Sequence, residues 1–99
     1  PYLAVIGNNS AMNQIRYGQL AKYGEERGDV GNKLGDVPFS KFGEMIGGYG
    51  EEVTEASQIQ PALQRAREAI AKTGRCAVVN VWVDPDEYAP GTKAQTMYK

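Results

Sequence analysis

The sequence predicts an α/β fold with a mainly parallel sheet and helices on both faces. Residues 2–7 (YLAVIG) and 76–83 (CAVVNVWV) are continuous apolar runs, the pattern of strands that are buried on both faces. Helical patterns lie between these two runs. Alternating strands and helices are typical of parallel sheets, because right-handed crossovers place the helices on both sides.

Two helices are predicted in the N-terminal half. Residues 11–22 have helical spacing, although Gly18 weakens a helix by about 1 kcal/mol relative to alanine. Residues 38–46 form a second, short helix, with a proline at the start and two glycines after the end. Between them, residues 23–37 are rich in glycine and charge. They are predicted to form an irregular loop, and long loops in compact domains are often functional.

A short strand over residues 49–53 and a third helix complete the pattern. Ser57 is predicted to cap this helix, with Gln60 three residues later as its capping-box partner. Gly74 ends the helix. The apolar stripe on one face consists of Ile59, Leu63, Ala66 and Ile70.

The apolar surface that these elements bury is small. Two long strands and one strongly amphipathic helix cannot cover both faces of a parallel sheet. We therefore expect residues 1–83 to be part of a domain that preceding residues or another chain completes. Residues 84–99 have no periodicity and form a tail, which is either a frayed terminus or a cover over an active site.

The composition excludes several classes of protein. The 11 basic and 12 acidic residues nearly cancel, so nucleic acid is not an expected partner. There is no apolar run of about 18 residues and no signal peptide, so no membrane contact and a cytoplasmic location are expected. The chain has one cysteine and no histidine. Its chemistry must therefore come from a cofactor, a partner chain or carboxylates.

Two asparagines, Asn8 and Asn9, follow the first strand. In open α/β sheets, ligands bind at the carboxyl ends of the strands. A helix that begins just after the asparagines would direct its free amides and positive dipole end to the same place. A carboxamide oxygen suits Mg²⁺ or Ca²⁺. The pattern fits either a site for a metal-bound phosphate group or a turn with a helix cap.

Longer stretches resemble a known family. Residues 4–19 (AVIGNNSAMNQIRYGQ) resemble the second half of the thiamine diphosphate signature, which runs from Gly-Asp-Gly to a closing Asn-Asn. Residues 42–69 (FGEMIGGYGEEVTEASQIQPALQRAREA) and 74–85 (GRCAVVNVWVDP) follow. They are similar to the end of the same domain in the acetolactate synthase, benzaldehyde lyase, oxalyl-CoA decarboxylase and 2-hydroxyacyl-CoA lyase superfamily. The resemblance covers about residues 2–85.

The resemblance implies a cofactor site for thiamine diphosphate and Mg²⁺. The metal would bind the side chain of Asn9 and the backbone carbonyl of Ala11 and bridge the two phosphates. Ser10 and Met12 would lie in the same loop around the cofactor. No catalytic residue of this chain is implied, because thiamine supplies the carbanion chemistry while the protein supplies orientation and electrostatics.

The resemblance also implies parts that these residues do not contain. The Gly-Asp-Gly half, with its metal-binding aspartate, is absent, and so is the glutamate that activates the aminopyrimidine ring. Both are expected on a larger partner chain or on a preceding part of the same polypeptide, in a dimer of dimers. The chain is then either a small subunit or the C-terminal piece of a longer protein.

The implied activity is the cleavage or formation of carbon–carbon bonds. A 2-hydroxyacyl-CoA lyase or an oxalyl-CoA decarboxylase-like lyase is the first interpretation. The alternatives are an acetolactate-synthase-like carboligase and a non-catalytic subunit that completes a fold or regulates a partner. The substrate would be an acyl-CoA or a 2-oxo or 2-hydroxy acid. Candidate substrate contacts are Arg16 on the first helix and Tyr88, Lys93 and Tyr98 in the tail.

Overall fold

The computed structural model describes residues 1–87 and confirms the α/β fold. The chain divides into two compact units, Pro1–Asn8 with Pro38–Val83, and residues 9–37 with 84–87. The first unit holds the sheet and the second and third helices, and the second unit holds the first helix. In chain order the elements are β1 (Leu3–Asn8), α1 (Asn13–Gly28), α2 (Ser40–Met45), β2 (Tyr49–Val53), a 3-10 turn (Ala56–Gln58), α3 (Ile59–Thr73) and β3 (Ala77–Trp82).

β3 is the central strand of a three-stranded parallel sheet with the order β1-β3-β2. The register pairs Leu3 with Ala77 and Asn8 with Trp82, and the predicted short strand is present as β2. The backbone N–H of Val83 donates to the carbonyl of Asn8 at 2.9 Å. β1 and β3 therefore end side by side at the carboxyl edge of the sheet.

One face of the sheet packs against α3 and forms the apolar core. The predicted stripe of α3 is confirmed, because its four members are either buried or packed against this core. Alanines at the centre of the helix bring its backbone close to the strands. The fully buried core residues are Val53, Ala62, Ala66, Ala77 and Val79.

The opposite face of the sheet packs against α2. Neighbouring residues of β3 point to opposite faces, so Val78 faces α2. A Cβ at Gly43 would lie 2.6 Å from the carbonyl oxygen of Tyr49, and one at Gly50 would lie 2.0 Å from that of Ser40. Helix and strand approach too closely for any larger residue at these two positions. Helices thus cover both faces, as the sequence predicts.

A partly buried polar cluster lies on the α2 side of the sheet. The carboxylate of Glu52 accepts hydrogen bonds from the backbone N–H of Ser40 (3.1 Å), the amide of Asn80 (2.8 Å) and the indole N–H of Trp82 (2.7 Å). Burial raises the pKa of Glu52, but these donors outweigh it and hold the pKa below the ordinary value of 4.5. The cluster therefore joins α2, β2 and β3 through one ionised carboxylate.

The predicted extent of α1 is wrong at both ends. The helix begins at Asn13 and continues to Gly28, so the first part of the predicted loop is helical. Gly24, at φ 80° and ψ 173°, interrupts the helix with a kink. Glycine adopts this backbone conformation without steric cost, and the helical direction resumes after it.

The predicted cap of α3 is also wrong. Gln58 stands at the cap position, and no side-chain hydrogen bond caps the helix there. The side chain of Gln58 instead accepts the backbone N–H of Thr54 at 3.2 Å. Ser57 lies inside the 3-10 turn that precedes the helix, one residue before the cap position. Gly74 ends the helix with a left-handed φ of 68°, as predicted.

We predict that Glu52→Gln lowers the free energy of unfolding by about 1–3 kcal/mol, because an amide keeps one acceptor oxygen and presents an NH2 group to the donors. The native pKa lies below the unfolded value. The difference in free energy of unfolding between wild type and Glu52→Gln is therefore complete above about pH 5. It is lost as the pH falls through the native pKa of Glu52, which lies below 4.5.

Urea unfolding followed by circular dichroism, from about pH 7 down to about pH 3, measures this difference. The matched control is Glu55→Gln, because Glu55 is an exposed glutamate just beyond β2 and its substitution is expected to change little. An equal stability of wild type and Glu52→Gln at neutral pH would contradict the prediction.

Candidate functional site

Residues 9–12, the asparagine loop, connect β1 to α1. The backbone N–H of Met12 donates to the carbonyl of Asn32 at 2.7 Å, and that of Leu34 donates to the carbonyl of Ser10 at 2.8 Å. Ser10 has a φ of 62°, a left-handed conformation that is uncommon outside glycine. The short antiparallel pairing with residues 32–34 holds the loop in this shape.

A polar network fastens residues 28–32 to α1. Asn32 is 5% exposed, and its Nδ2 donates to Oε1 of Gln19 (2.5 Å) and to the carbonyl of Gly28 (2.7 Å). The carboxylate of Asp29 accepts a hydrogen bond from Nε of Arg16. This bond is the main reason why the pKa of Asp29 lies below its ordinary value. The segment that pairs with the asparagine loop is thus held against α1 by these hydrogen bonds.

The asparagine loop presents two neutral oxygen atoms. Oδ1 of Asn9 accepts a long hydrogen bond of 3.4 Å from the backbone N–H of Ala11, which is longer than usual for an N–H···O bond. No donor among the described residues reaches the carbonyl of Ala11. Carboxamide and carbonyl oxygens are ligands that Mg²⁺ accepts. Residues 1–87 contain no group of three His, Cys, Asp or Glu side chains that could hold a metal ion.

The N-terminus of α1 follows the loop directly. Its first turn carries no acidic residue, and no side chain caps it at Met12. The backbone amides of Asn13 and Gln14 have no intrahelical acceptors, because they stand at the first helical positions. Free amides and the positive end of the helix dipole favour an anion such as a phosphate group.

Residues 84–87, which follow Val83, belong to the same unit as the asparagine loop. Nδ2 of Asn13 donates to the carbonyl of Pro85 at 2.8 Å. The carboxylate of Asp86 lies 4.0 Å from Nη1 of Arg16, and its backbone N–H donates to Oδ1 of Asp84 at 2.7 Å. The predicted tail therefore begins against the N-terminal turn of α1. Its candidate substrate contacts Tyr88, Lys93 and Tyr98 lie outside the described residues.

Two pockets adjoin the asparagine loop, and Asn9 and Ala11 line both of them. A ligand in either pocket would meet the loop. The larger pocket, the α1 groove, has a volume of about 880 Å³ and is lined by Asn9, Ala11, Met12, Asn13, Gln14, Ile15, Gly18, Gln19, Lys22 and Tyr23. The smaller one, of about 330 Å³, is lined by Asn9, Ser10, Ala11, Arg16, Lys33, Gly35, Asp36, Pro85 and Asp86.

The structure brings the four predicted cofactor-binding residues together in one loop. Asn9 and Ala11 present oxygen atoms there, and Met12 precedes α1. Oγ of Ser10 donates to Oδ1 of Asp36 at 2.9 Å, so this side chain braces the loop. Their contacts with thiamine diphosphate and with Mg²⁺ stay predictions.

Arg16, the predicted substrate contact on α1, is occupied within the chain. It pairs with Asp29 and lies close to Asp86. The smaller pocket holds two basic and two acidic side chains, so its charges balance and no excess positive charge is left for an anionic substrate. A direct contact of Arg16 with substrate stays a prediction, and the observed contacts give it a bracing role.

Sequence reasoning missed the residues that brace the loop. Asp29 and Asn32 bond to residues 13 positions away, and Asp36 to one 26 positions away. Such pairs leave no local pattern in the sequence. Asn13 had a visible signal, because it is the third asparagine of the stretch that begins at Asn8.

Comparison with protein families agrees with this geometry. The family model described as thiamine pyrophosphate enzyme, C-terminal TPP binding domain, matches residues 1–81. The match includes the asparagine loop and nearly all of β3. Within residues 1–87, none of the helices has the length and apolar character needed to span a membrane. The chain belongs to the C-terminal TPP-binding domain family of the thiamine pyrophosphate enzymes.

Proposed function

We propose that this chain supplies the magnesium-binding and diphosphate-binding loop of an enzyme that cleaves carbon–carbon bonds, of the 2-hydroxyacyl-CoA lyase or oxalyl-CoA decarboxylase type. The observation that carries the proposal is the asparagine loop, in which two neutral oxygen atoms precede the open N-terminus of a helix. Bound thiamine diphosphate supplies the nucleophilic carbon and the electron sink for breaking a bond beside a carbonyl group.

The residues of the loop have separate roles in this proposal. Oδ1 of Asn9 and the carbonyl oxygen of Ala11 are two ligands of Mg²⁺. The backbone amides of Asn13 and Gln14 face the diphosphate. The hydrogen bond from Ser10 to Asp36 and the pairing with residues 32–34 fix the loop before the ligand binds. Binding then orders few further groups, which favours affinity.

The remaining ligands of the metal come from outside the described residues. Two neutral oxygen atoms leave the charge of Mg²⁺ to be balanced by phosphate oxygens and by a carboxylate. We propose that this carboxylate and the glutamate that activates the cofactor belong to a larger partner chain or to another part of the same polypeptide, in a dimer of dimers. Native mass spectrometry of the assembled protein, which detects partner chains and bound cofactor together, tests this.

The α1 groove supports a lyase that acts on large substrates. A volume of about 880 Å³ beside the loop has room for an acyl group larger than that of a small 2-oxo acid. A lyase of this type splits a 2-hydroxyacyl-CoA between its first and second carbons, which leaves formyl-CoA and a shortened aldehyde. Detection of both products by mass spectrometry tests the activity, and cofactor binding without either product contradicts it.

In the assembled enzyme, Asn9→Ala is expected to weaken the binding of Mg²⁺ and thiamine diphosphate by at least about tenfold, because the metal loses a ligand. Isothermal calorimetry with thiamine diphosphate and Mg²⁺ measures the affinity directly. Asn9→Asp keeps an oxygen at this position and is expected to retain binding. Gln60→Ala, on the exposed surface of α3, is the control. If Asn9→Ala binds the cofactor as tightly as the wild type, Asn9 is not a ligand.

A second prediction concerns the tail. We expect that ending the chain at Asp86 reduces turnover by at least about tenfold while cofactor affinity and assembly are kept, because a cover over the site excludes water from the reaction. The contacts of Pro85 and Asp86 with α1 would anchor such a cover.

Steady-state kinetics, calorimetry with the cofactor and native mass spectrometry test this truncation together. Removal of Lys99 alone is the control and is expected to change none of the three. A truncated enzyme with the kcat and KM of the wild type would identify the tail as a frayed end.

A further inference from the structure

Arg16 is mostly buried, yet most of its hydrogen-bond donors have no partner among residues 1–87. Its side chain is 16% exposed, and a guanidinium group carries five N–H donors. Among the described residues, Nε donates to the carboxylate of Asp29, and Nη1 lies 4.0 Å from Oδ1 of Asp86, too far for a hydrogen bond. Unpaired donors on a buried charged group destabilise a fold. The terminal NH2 groups are therefore available to an acceptor from outside the chain.

Arg16 and Lys33 form the cationic part of the smaller pocket, the one of about 330 Å³ that adjoins the asparagine loop. The ammonium group of Lys33 lies 3.3 Å from Oδ2 of Asp29, and Arg16 binds the other oxygen of the same carboxylate. Asp29 thus holds the two cations side by side. The planar fork of an arginine matches a carboxylate, which can accept two parallel hydrogen bonds from it.

Two acidic residues, Asp36 and Asp86, line the same pocket. One oxygen of Asp36 accepts a hydrogen bond from Ser10 at 2.9 Å, and the other has no donor among the described residues. The side chain of Asp86 is 78% exposed and accepts no hydrogen bond from residues 1–87. A ligand with a single charge would be attracted by one pair of charged side chains and repelled by the other. A ligand that carries both charges can pair with all of them.

We infer that the smaller pocket binds a zwitterion of the α-amino-acid class. The carboxylate of this ligand pairs with Arg16 and Lys33, and its ammonium group pairs with Asp36 and Asp86. The volume of about 330 Å³ is at the lower end of the usual range for small-molecule sites, so an amino acid with a short side chain, such as alanine, fits best. The inference does not depend on the lyase function, because this ligand is not the substrate.

The pocket is connected to the asparagine loop through Asp36. This carboxylate holds Ser10, so a ligand that fixes Asp36 also fixes the loop. The two carboxylates of the lining disfavour a diphosphate in the same pocket, and the amino acid therefore binds together with the cofactor. Each of the two ligands raises the affinity of the other by the same factor, because coupling between two sites is reciprocal. The smaller pocket is thus a regulatory site for cofactor binding.

Isothermal calorimetry on the assembled enzyme tests the ligand class. L-Alanine is the zwitterionic probe, and acetate and ethylammonium are probes of similar size with a single charge. We expect L-alanine to bind at least about tenfold more tightly than either of them, because it alone pairs with both sets of side chains. We also expect thiamine diphosphate with Mg²⁺ to bind about fivefold more tightly when the enzyme is saturated with L-alanine.

Two substitutions with matched controls identify the pocket. Arg16→Lys keeps the charge but loses the planar fork and is expected to weaken L-alanine binding by at least about tenfold, whereas Arg27→Lys on the exposed surface of α1 changes nothing. Asp86→Asn is expected to weaken L-alanine binding by about twofold to fivefold and to leave acetate bound at least as tightly as before, because a repelling carboxylate is lost. Glu87→Gln, at an exposed neighbour outside the pocket lining, is its control.

Three results would overturn the inference: no detectable binding of L-alanine, binding no tighter than that of acetate, and competition between L-alanine and thiamine diphosphate. The last result would show that the cofactor itself occupies the pocket. If Arg16→Lys does not fold, Asp86→Asn and the probes with a single charge decide the question. Failure of the lyase function is detected separately, by the absence of cleavage products, and leaves the calorimetry with L-alanine unaffected.

Discussion

The rest of the structure depends on β3, which is paired on both edges and covered on both faces. Residues 77–80 are all buried, so each side chain packs against a helix on one face of the sheet or the other. Ala77 and Val79 meet α3, while Asn80 faces α2 and is matched by Glu52. The parallel register with β3 also sets where β1 ends, and the asparagine loop follows at the next residue.

Each of the two units is stabilised internally by a different kind of interaction. In the first, small apolar side chains fill the space between α3 and the sheet, and such packing tolerates changes that conserve volume. In the second, directional hydrogen bonds of Asn32, Asp29 and Ser10 hold the asparagine loop and the segment that pairs with it. Directional bonds fix positions more sharply than apolar contacts do, which suits the proposal that this loop presents two oxygen atoms to a ligand.

Local patterns carried most of what could be predicted from the sequence. The two long strands follow from continuous apolar runs, β2 from its position between the second and third helices, and the stripe of α3 from helical spacing. The loop was found because its residues are adjacent in the chain. By contrast, the contact between Asn13 and Pro85 joins residues 72 positions apart, and no local pattern reports it.

The wrong prediction for the end of α1 also arises from contacts between residues that are distant in the sequence. A glycine such as Gly24 is normally a stop signal, but here the chain turns through one left-handed residue and resumes the helix. The residues after the kink are anchored to the first part of α1, because Asn32 bonds to Gln19 and Asp29 bonds to Arg16. That anchoring is tertiary, so propensity alone could not anticipate it. The bracing residues of the site were missed for the same reason.

The neutrality of the asparagine loop has a consequence for proton balance. Thiolate, imidazole and carboxylate ligands exchange a proton for a metal ion, so their affinity changes with pH. The carboxamide of Asn9 and the backbone carbonyl of Ala11 carry no exchangeable proton of this kind. A divalent ion that they bind therefore displaces no hydrogen ion from them. When the ion leaves, it uncovers no pair of like charges that would push the loop apart.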